Sequence, residues 1–341
     1  MALCKAAAIR PMMLYVLTLI AVIALCLMIS GGLQPKEYDC SKLLHARQPA
    51  PSTAVSPIQR SVVVSQDGNG VVQRLAHHRA VTFPFTSKPV LVMEGAHGWV
   101  YRDAELEKWE LHTFKAFSSC IPPGKEVIDF GSWIGPTVLY AVALGAKAVY
   151  SFEPDPRAHA ELVLNAMLNG FGNMYVHHAC IAPTTRNLTL YDREGNSISS
   201  TYKIEGGKNP AVAKYSRELT VPCYALSEVI NHYQLQPGMF IKMDIEGFEV
   251  ELVPAIKQIF EQYKPTLHLS IHAELRAFKA DDFEGLVDAL SVFPMAFAPL
   301  TPGKTWQAIP ASERKQAIIK DGQSNLELLF TWPGACKSLE S

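Results

Sequence analysis

No charge of one sign dominates this chain: 31 lysines and arginines stand against 32 aspartates and glutamates, a formal net charge of −1. That balance argues against a polyanion binder working through bulk electrostatics, so no nucleic-acid partner is expected. The seven cysteines (Cys4, Cys26, Cys40, Cys120, Cys180, Cys223, Cys336) contain no CxxC pair. This excludes a zinc ribbon, a CxxC redox motif and a dense disulfide scaffold, and leaves room for a sparse disulfide or two. An internal repeat with a period of roughly 20–50 residues is also missing. A disordered chain is excluded as well, because 48% of the 341 residues are hydrophobic and only 18% charged, ample for a core.

Charge is absent in one place above all. From Pro11 to Leu33 no residue is charged, and Met12–Ile29 reads MMLYVLTLIAVIALCLMI, long enough as a helix to cross roughly 30 Å of hydrocarbon. We read residues 1–33 as a short tail and a single transmembrane anchor. The competing reading is a cleaved signal peptide, whose apolar core usually runs only about 7–15 residues. A buried core helix fits poorly with the terminal position, the all-round apolarity and the Gly31-Gly32 stop. Lys5 and Arg10 precede the span while Lys36, Lys42 and Arg47 follow it, so the positive-inside rule leaves the membrane side open. The short tail favours a cytoplasmic amino end. In a eukaryote this would place the remainder in the lumen of the endoplasmic reticulum or Golgi, where Asn187-Leu188-Thr189 forms a glycosylation triplet of a kind common by chance.

Residues 34–80, rich in Pro, Ser, Gln and Gly without sustained periodicity, read as a stem or linker. The rest, 81–341, reads as one α/β domain. Val90–Met93 is expected as a short strand, and Asp103–Ser118 as an amphipathic helix turning Leu106, Trp109, Phe114 and Phe117 to the core. From Glu126 onward strands and helices alternate: strands at 126–130, 148–152, 175–181, 239–243 and 266–271, helices at 136–144, 156–169 and 249–263. That order implies βαβ units and a parallel sheet covered on both faces. Leu326–Trp332 is expected as a late strand at the sheet's end, and 188–222 as an inserted hairpin region.

In open sheets of this kind ligands bind at the carboxyl ends of the strands, and three motifs fall there. The first is Asp129-Phe130-Gly131-Ser132-Trp133-Ile134-Gly135. Gly131 permits a tight turn and Gly135 close packing of helix on strand, yet the middle glycine of a GxGxxG dinucleotide fingerprint is missing, which disfavours a nicotinamide enzyme. The second ends Phe152-Glu153-Pro154-Asp155, with Glu153 placed to accept hydrogen bonds from vicinal ribose hydroxyls. The third, Lys242-Met243-Asp244-Ile245-Glu246-Gly247, sets Lys242, Asp244 and Glu246 on one face by the strand period. Lys242 is equally readable as a substrate contact or as part of a buried ion-pair network. His268, Ser270 and His272 share a face on the following strand, whereas the adjacent His177 and His178 must point oppositely and cannot serve one site.

DFGSWIG, FEPD and IKMDIEGFE, in this order and spacing, resemble the FkbM-type class I S-adenosylmethionine-dependent methyltransferases over about Glu126–Glu274. The resemblance implies a Rossmann-like, doubly wound, mostly parallel seven-stranded sheet, S-adenosyl-L-methionine as methyl donor, and an oxygen acceptor on a sugar or other small metabolite. It implies that Asp129, Gly131 and Gly135 shape the donor loop, that Glu153 holds the ribose, and that Asp244 and Glu246 stand at the reaction edge. Ser132-Trp133 replaces the family's usual Ala-Asn pair, so Trp133 either stacks on the donor or fills the pocket.

Methyl transfer from a sulfonium is an in-line displacement that, for a hydroxyl acceptor, also needs a proton removed. His272 is the expected base because an imidazole titrates near working pH, Glu246 is the alternative, and Asp244 orients base or substrate. A metal bridging Asp244, Glu246 and His272 suits the ligand types, but nothing in the spacing demands one, and none is assigned. The expectation is a membrane-anchored methyltransferase acting on a small-molecule or glycan acceptor. The alternative is a non-catalytic binding or scaffold protein whose pocket Trp133 has closed.

Overall fold

The structure, a computed structural model, describes residues 61–63, 77–95, 97–192, 200–202, 217–272, 280–300, 305–321 and 326–340. The span expected at Met12–Ile29 lies outside them. Among the described residues no helix is long and apolar enough to cross a membrane.

In chain order the elements are β1 (Ser61–Val63), β2 (His78–Val81), β3 (Val90–Met93), α1 (Gly98–Glu105), α2 (Leu111–Cys120), β4 (Glu126–Phe130), α3 (Pro136–Ala143), β5 (Ala148–Phe152) and α4 (Pro156–Asn169). Next come β6 (Met174–His177), β7 (Cys180–Ala182), β8 (Arg186–Asp192), β9 (Ser200–Tyr202), β10 (Arg217–Ala225), α5 (Leu226–Tyr233), β11 (Phe240–Met243), α6 (Glu249–Ala255), α7 (Lys257–Tyr263) and β12 (Thr266–Ile271). The chain closes with α8 (Ala280–Leu290), β13 (Met295–Pro299), β14 (Trp306–Ala308), α9 (Arg314–Asp321), β15 (Leu326–Thr331) and α10 (Lys337–Glu340).

The main sheet has nine strands in the order β1-β6-β5-β4-β11-β12-β15-β13-β14. Its inner seven carry the expected Rossmann-like arrangement: β6, β5, β4, β11 and β12 run parallel, and β15 enters antiparallel beside β12. β15 therefore lies inside the sheet, between β12 and β13, rather than at its end. Two short strands extend the edges. One of them, β1, comes from the stretch read as linker, as does most of β2, which pairs with β3.

Alternation along these strands feeds two apolar layers. Ile128, Ile241, Leu267 and Phe330 face one, with side chains from α5, α6 and α8; Val127, Phe240, Val149 and Leu329 face the other, with Tyr101, Phe114, Val138 and Leu162 from α1–α4. On this second face a polar row interrupts the core, since Asp129, Lys242 and His268 are register neighbours across β4, β11 and β12.

Several expected elements are divided, each for a local reason. The helix read over 103–118 is two helices, because Glu107 (φ 57°) and Glu110 (φ 42°) take left-handed backbone; Leu106 is then 59% exposed instead of buried. The helix read over 249–263 breaks into α6 and α7 where Pro254 supplies no N–H. The strand read over 175–181 is β6 in the main sheet and β7 in a four-stranded sheet, β7-β10-β8-β9, which is the inserted hairpin region. Most of the polar segment 195–201 lies outside the described residues. Disulfides join Cys120 to Cys336 and Cys180 to Cys223, the second directly across the β7–β10 register.

Candidate active site

A cavity of about 410 Å³ opens where β4, β5, β11 and β12 end. Gly131, Trp133, Glu153, Asp244, Glu246 and His272 all line it, so the structure brings together six of the eight residues singled out from the sequence. Asp129 and Gly135 stand behind the wall.

The turn after β4 is tightly built. Gly131 has φ 75°, and a Cβ there would lie 1.8 Å from the Asp244 carbonyl oxygen. Gly135, with φ 98°, leads into α3 and lets that turn press on Leu162 of α4, where a Cβ would come within 2.4 Å of Cδ1. Trp133 also takes left-handed backbone (φ 49°). Its ring packs edge-on to His97 at 5.4 Å between centroids, so the indole forms a wall and leaves the cavity open.

Glu153 joins the first two loops. Its Oε2 accepts from the Trp133 N–H and its Oε1 from the Asp155 N–H, both at 2.7 Å. A carboxylate has about four lone-pair positions, so two remain for ribose hydroxyls. Burial pushes its pKa up to about 8. Asp155 in turn caps α4, accepting from the N–H groups of Arg157 and Ala158.

Asp129 does not face the cavity, contrary to the expectation that it borders the donor. It is fully buried, its Oδ2 accepts from Thr137 Oγ1 at 2.6 Å, and its Oδ1 is 3.5 Å from Lys242 Nζ. Lys242 donates to the Gly131 carbonyl at 2.7 Å and stands 3.4 Å from Asp244 Oδ2. Lys242 therefore holds an ion-pair network together and clamps the Gly131 turn. Burial disfavours its charge, but Asp129 and Asp244 more than offset that.

Asp244 and Glu246 reach the cavity by a different route from strand alternation, because β11 ends at Met243 and Glu246 sits in a turn with φ 57°. Asp244 Oδ1 lies 2.9 Å from His272 Nε2. Burial opposes Asp244 ionisation, yet Lys242 and His272 hold its pKa well below the usual carboxylate range. Burial alone would lower His272; the Asp244 hydrogen bond and the charges of Asp244, Glu246 and Glu249 push it up to about 11 instead. The neighbouring carboxylates thus favour the protonated imidazole, which counts against a histidine base titrating near working pH. Burial and the Asp244 charge push Glu246 up to about 8, and burial pushes Glu249 up to about 7. One ligand atom from each of Asp244, Glu246 and His272 lies within 4.8 Å of the others.

Residues 129–294 match the model of the Methyltransferase FkbM domain. The chain carries a methyltransferase FkbM domain. Domains of this family take their methyl group from S-adenosylmethionine. No curated protein matches the chain. Solved structures similar to it include Methyltransferase FkbM from Methylobacillus flagellatus KT (16% identity, TM-score 0.37, covering 61% of this chain and 43% of that one). Others are precorrin-6y C5,15-methyltransferase from Geobacter metallireducens GS-15 (12%, TM-score 0.31, covering 64% and 86%) and Aeropyrum pernix fibrillarin with natively bound S-adenosyl-L-methionine (8%, TM-score 0.29, covering 62% and 68%). The chain thus spans under half of the Methylobacillus protein's length, and at these TM-scores the likenesses carry neither substrate nor mechanism.

The FkbM domain does not make the whole cavity. Trp99, Trp109, Glu110 and Glu327 also line it, and all four lie outside residues 129–294. Glu327 Oε2 accepts from Thr113 Oγ1 at 3.0 Å and pairs with His112. Burial resists its charge, but His112 and His268 hold its pKa down at about 2. For Glu110 the balance is reversed: burial and the charges of Glu327 and Asp244 outweigh Lys242 and the Thr113 hydroxyl and push it up to about 8. Trp109, expected on the core side of a helix, lines the cavity, and no sequence motif marks Trp99, Glu110 or Glu327. Ser270, noted for sharing a face with His272, is on the cavity wall, while His268 lies buried beneath it. His177 and His178 are elsewhere, one bonded to Tyr233 Oη and the other to the Pro154 carbonyl.

Proposed function

We propose that the chain is a membrane-anchored methyltransferase that methylates a hydroxyl of a sugar or other small metabolite. One observation carries this reading: the two donor loops and the Asp244, Glu246 and His272 wall open into the same cavity. When bound, S-adenosylmethionine supplies a methyl group activated on a cationic sulfonium. The residues present fit it. Glu153 keeps lone pairs for ribose hydroxyls, Trp133 presents an aromatic face, and the surrounding carboxylates favour a cation over a diphosphate.

Asp244, Glu246 and His272 receive the acceptor oxygen and must take up either its proton or its developing charge. Trp99 and Trp109 offer aromatic faces to the C–H surface of a sugar, and Glu110 and Glu327 offer acceptors to its hydroxyls. Because these four residues lie outside the FkbM domain, acceptor choice belongs to the flanking segments.

Residues 1–33 anchor the chain as a single span. The two disulfides favour an oxidising compartment, and so placement of the domain on the lumenal or outer side. Such placement requires delivery of the donor across the membrane.

Calorimetric titration of the full chain, in mild detergent, with S-adenosylhomocysteine should show one binding event. Incubation with labelled donor and glycan or metabolite extracts should then label a small acceptor. Absence of any binding would leave a scaffold protein. Protease protection in sealed vesicles reads the side of the membrane: digestion from the cytosolic face would reject the lumenal assignment.

A further inference from the structure

Asp244 and His272 approach from adjoining strand ends, since β11 and β12 pair as Met243 with Leu269. Their atoms Oδ1 and Nε2 are 2.9 Å apart. That is close to the edge of an octahedron whose metal–ligand bonds are about 2.1 Å. Glu246 completes a set in which all three ligand atoms lie within 4.8 Å of one another.

A second, independent observation comes from Glu249, at the start of α6. It is fully buried, and its Oε1 accepts from the Ile245 N–H at 2.8 Å, but its Oε2 has no partner. Its carboxylate lies near enough to His272 and Asp244 for their charges to act on it. A buried carboxylate oxygen with no donor is costly unless positive charge stands close by. Lys242 is already engaged by the Gly131 carbonyl, Asp129 and Asp244. Two carboxylates and one imidazole thus converge on the cavity wall, with the buried Glu249 carboxylate behind the wall and close enough to feel their charges.

We propose that Asp244, Glu246 and His272 bind a divalent cation that takes the place of the imidazole proton, which is released to water, with Glu249 supplying negative charge behind them. Two carboxylates and an imidazole form a mixed oxygen–nitrogen set suited to Mn²⁺ or Zn²⁺, and three protein ligands leave positions open to the cavity. An acceptor hydroxyl bound at one of them becomes more acidic, its proton leaves to water, and the ion holds the oxygen that remains. No free histidine base is then required. The ion site rests on side-chain geometry alone, so it can fail or stand separately from methyl transfer.

The probe is MnCl₂ added to the full chain in mild detergent after treatment with a chelator, with free Mn²⁺ counted by electron paramagnetic resonance. The expected result is one ion per chain at micromolar concentration. Glu246→Gln and His272→Asn should each weaken binding by about tenfold or more, whereas Asp288→Asn, on the exposed Lys257 pair, should not. Near-ultraviolet circular dichroism checks the fold. If His272→Asn misfolds, the Glu246→Gln turn variant carries the test. No uptake at millimolar Mn²⁺, or equal affinity in wild type and Glu246→Gln, would overturn the site.

Discussion

The backbone N–H of Trp133 donates to Glu153 Oε2 at 2.7 Å, tying the turn after β4 to the end of β5. Because the same carboxylate also accepts from Asp155, Glu153→Ala would leave two amides without acceptors. Unfolding in denaturant should register a loss of ~2–4 kcal/mol. Titration with S-adenosylhomocysteine should show affinity reduced by about tenfold or more. Unchanged affinity would remove Glu153 from the donor site.

Lys242 is the cation shared by buried Asp129 and by Asp244. Replacing it with methionine removes the charge and keeps much of the volume, and should cost about 3–5 kcal/mol by leaving those carboxylates uncompensated. Adding Asp129→Asn to Lys242→Met should recover part of that loss. A double variant whose loss is the plain sum of the single losses would show that the ion pair is not coupled.

Stability should fall as pH rises from about 4.5 to about 8. Glu110 keeps its proton in the folded chain up to about 8, while the unfolded chain releases it near 4.3. The unfolded state therefore binds fewer protons across this window, and the stability present below it is lost by its upper end. Glu110→Gln should flatten the dependence and stabilise the protein by roughly 1–3 kcal/mol at pH 8. Thermal melts of both proteins at pH 5 and pH 8 read this, and parallel slopes would refute it.

Gly131→Ala should be far worse than Gly124→Ala, although both positions have positive φ. A Cβ at Gly131 meets the Asp244 carbonyl at 1.8 Å, whereas at Gly124 nothing lies within 4 Å. Expected losses are ~1 kcal/mol at Gly124 and at least ~3 kcal/mol at Gly131. Donor binding should be lost only with the second, as titration of both variants would show.

The strands of the sheet were legible because buried parallel strands read as short apolar runs closed by Gly, Pro and acids, as in VIDFG, YSFEP and IKMDIEG. The same rule showed which loops share an edge. It did not show where strands stop. Asp129 lies within β4 and points under the sheet, while Glu246 lies beyond β11 and reaches the cavity through a left-handed turn. The separation of α1 from α2 was hidden because Leu106 and Trp109 keep a helical spacing through residues that are not helical. Glu327 and His112 meet across more than two hundred residues, and no local pattern encodes such a pairing. The family resemblance reached only as far as the FkbM domain, so the flanking tryptophans and acids of the cavity carried no motif.

The bond between Cys120 and Cys336 closes a covalent ring around all of residues 129–294. A single protease cut at any peptide bond inside that ring would leave both fragments travelling together on a gel until a reductant is added. A chain ending before Cys336 would keep only the smaller Cys180–Cys223 ring, with a larger unfolded ensemble and no protection against separation for cuts outside that ring.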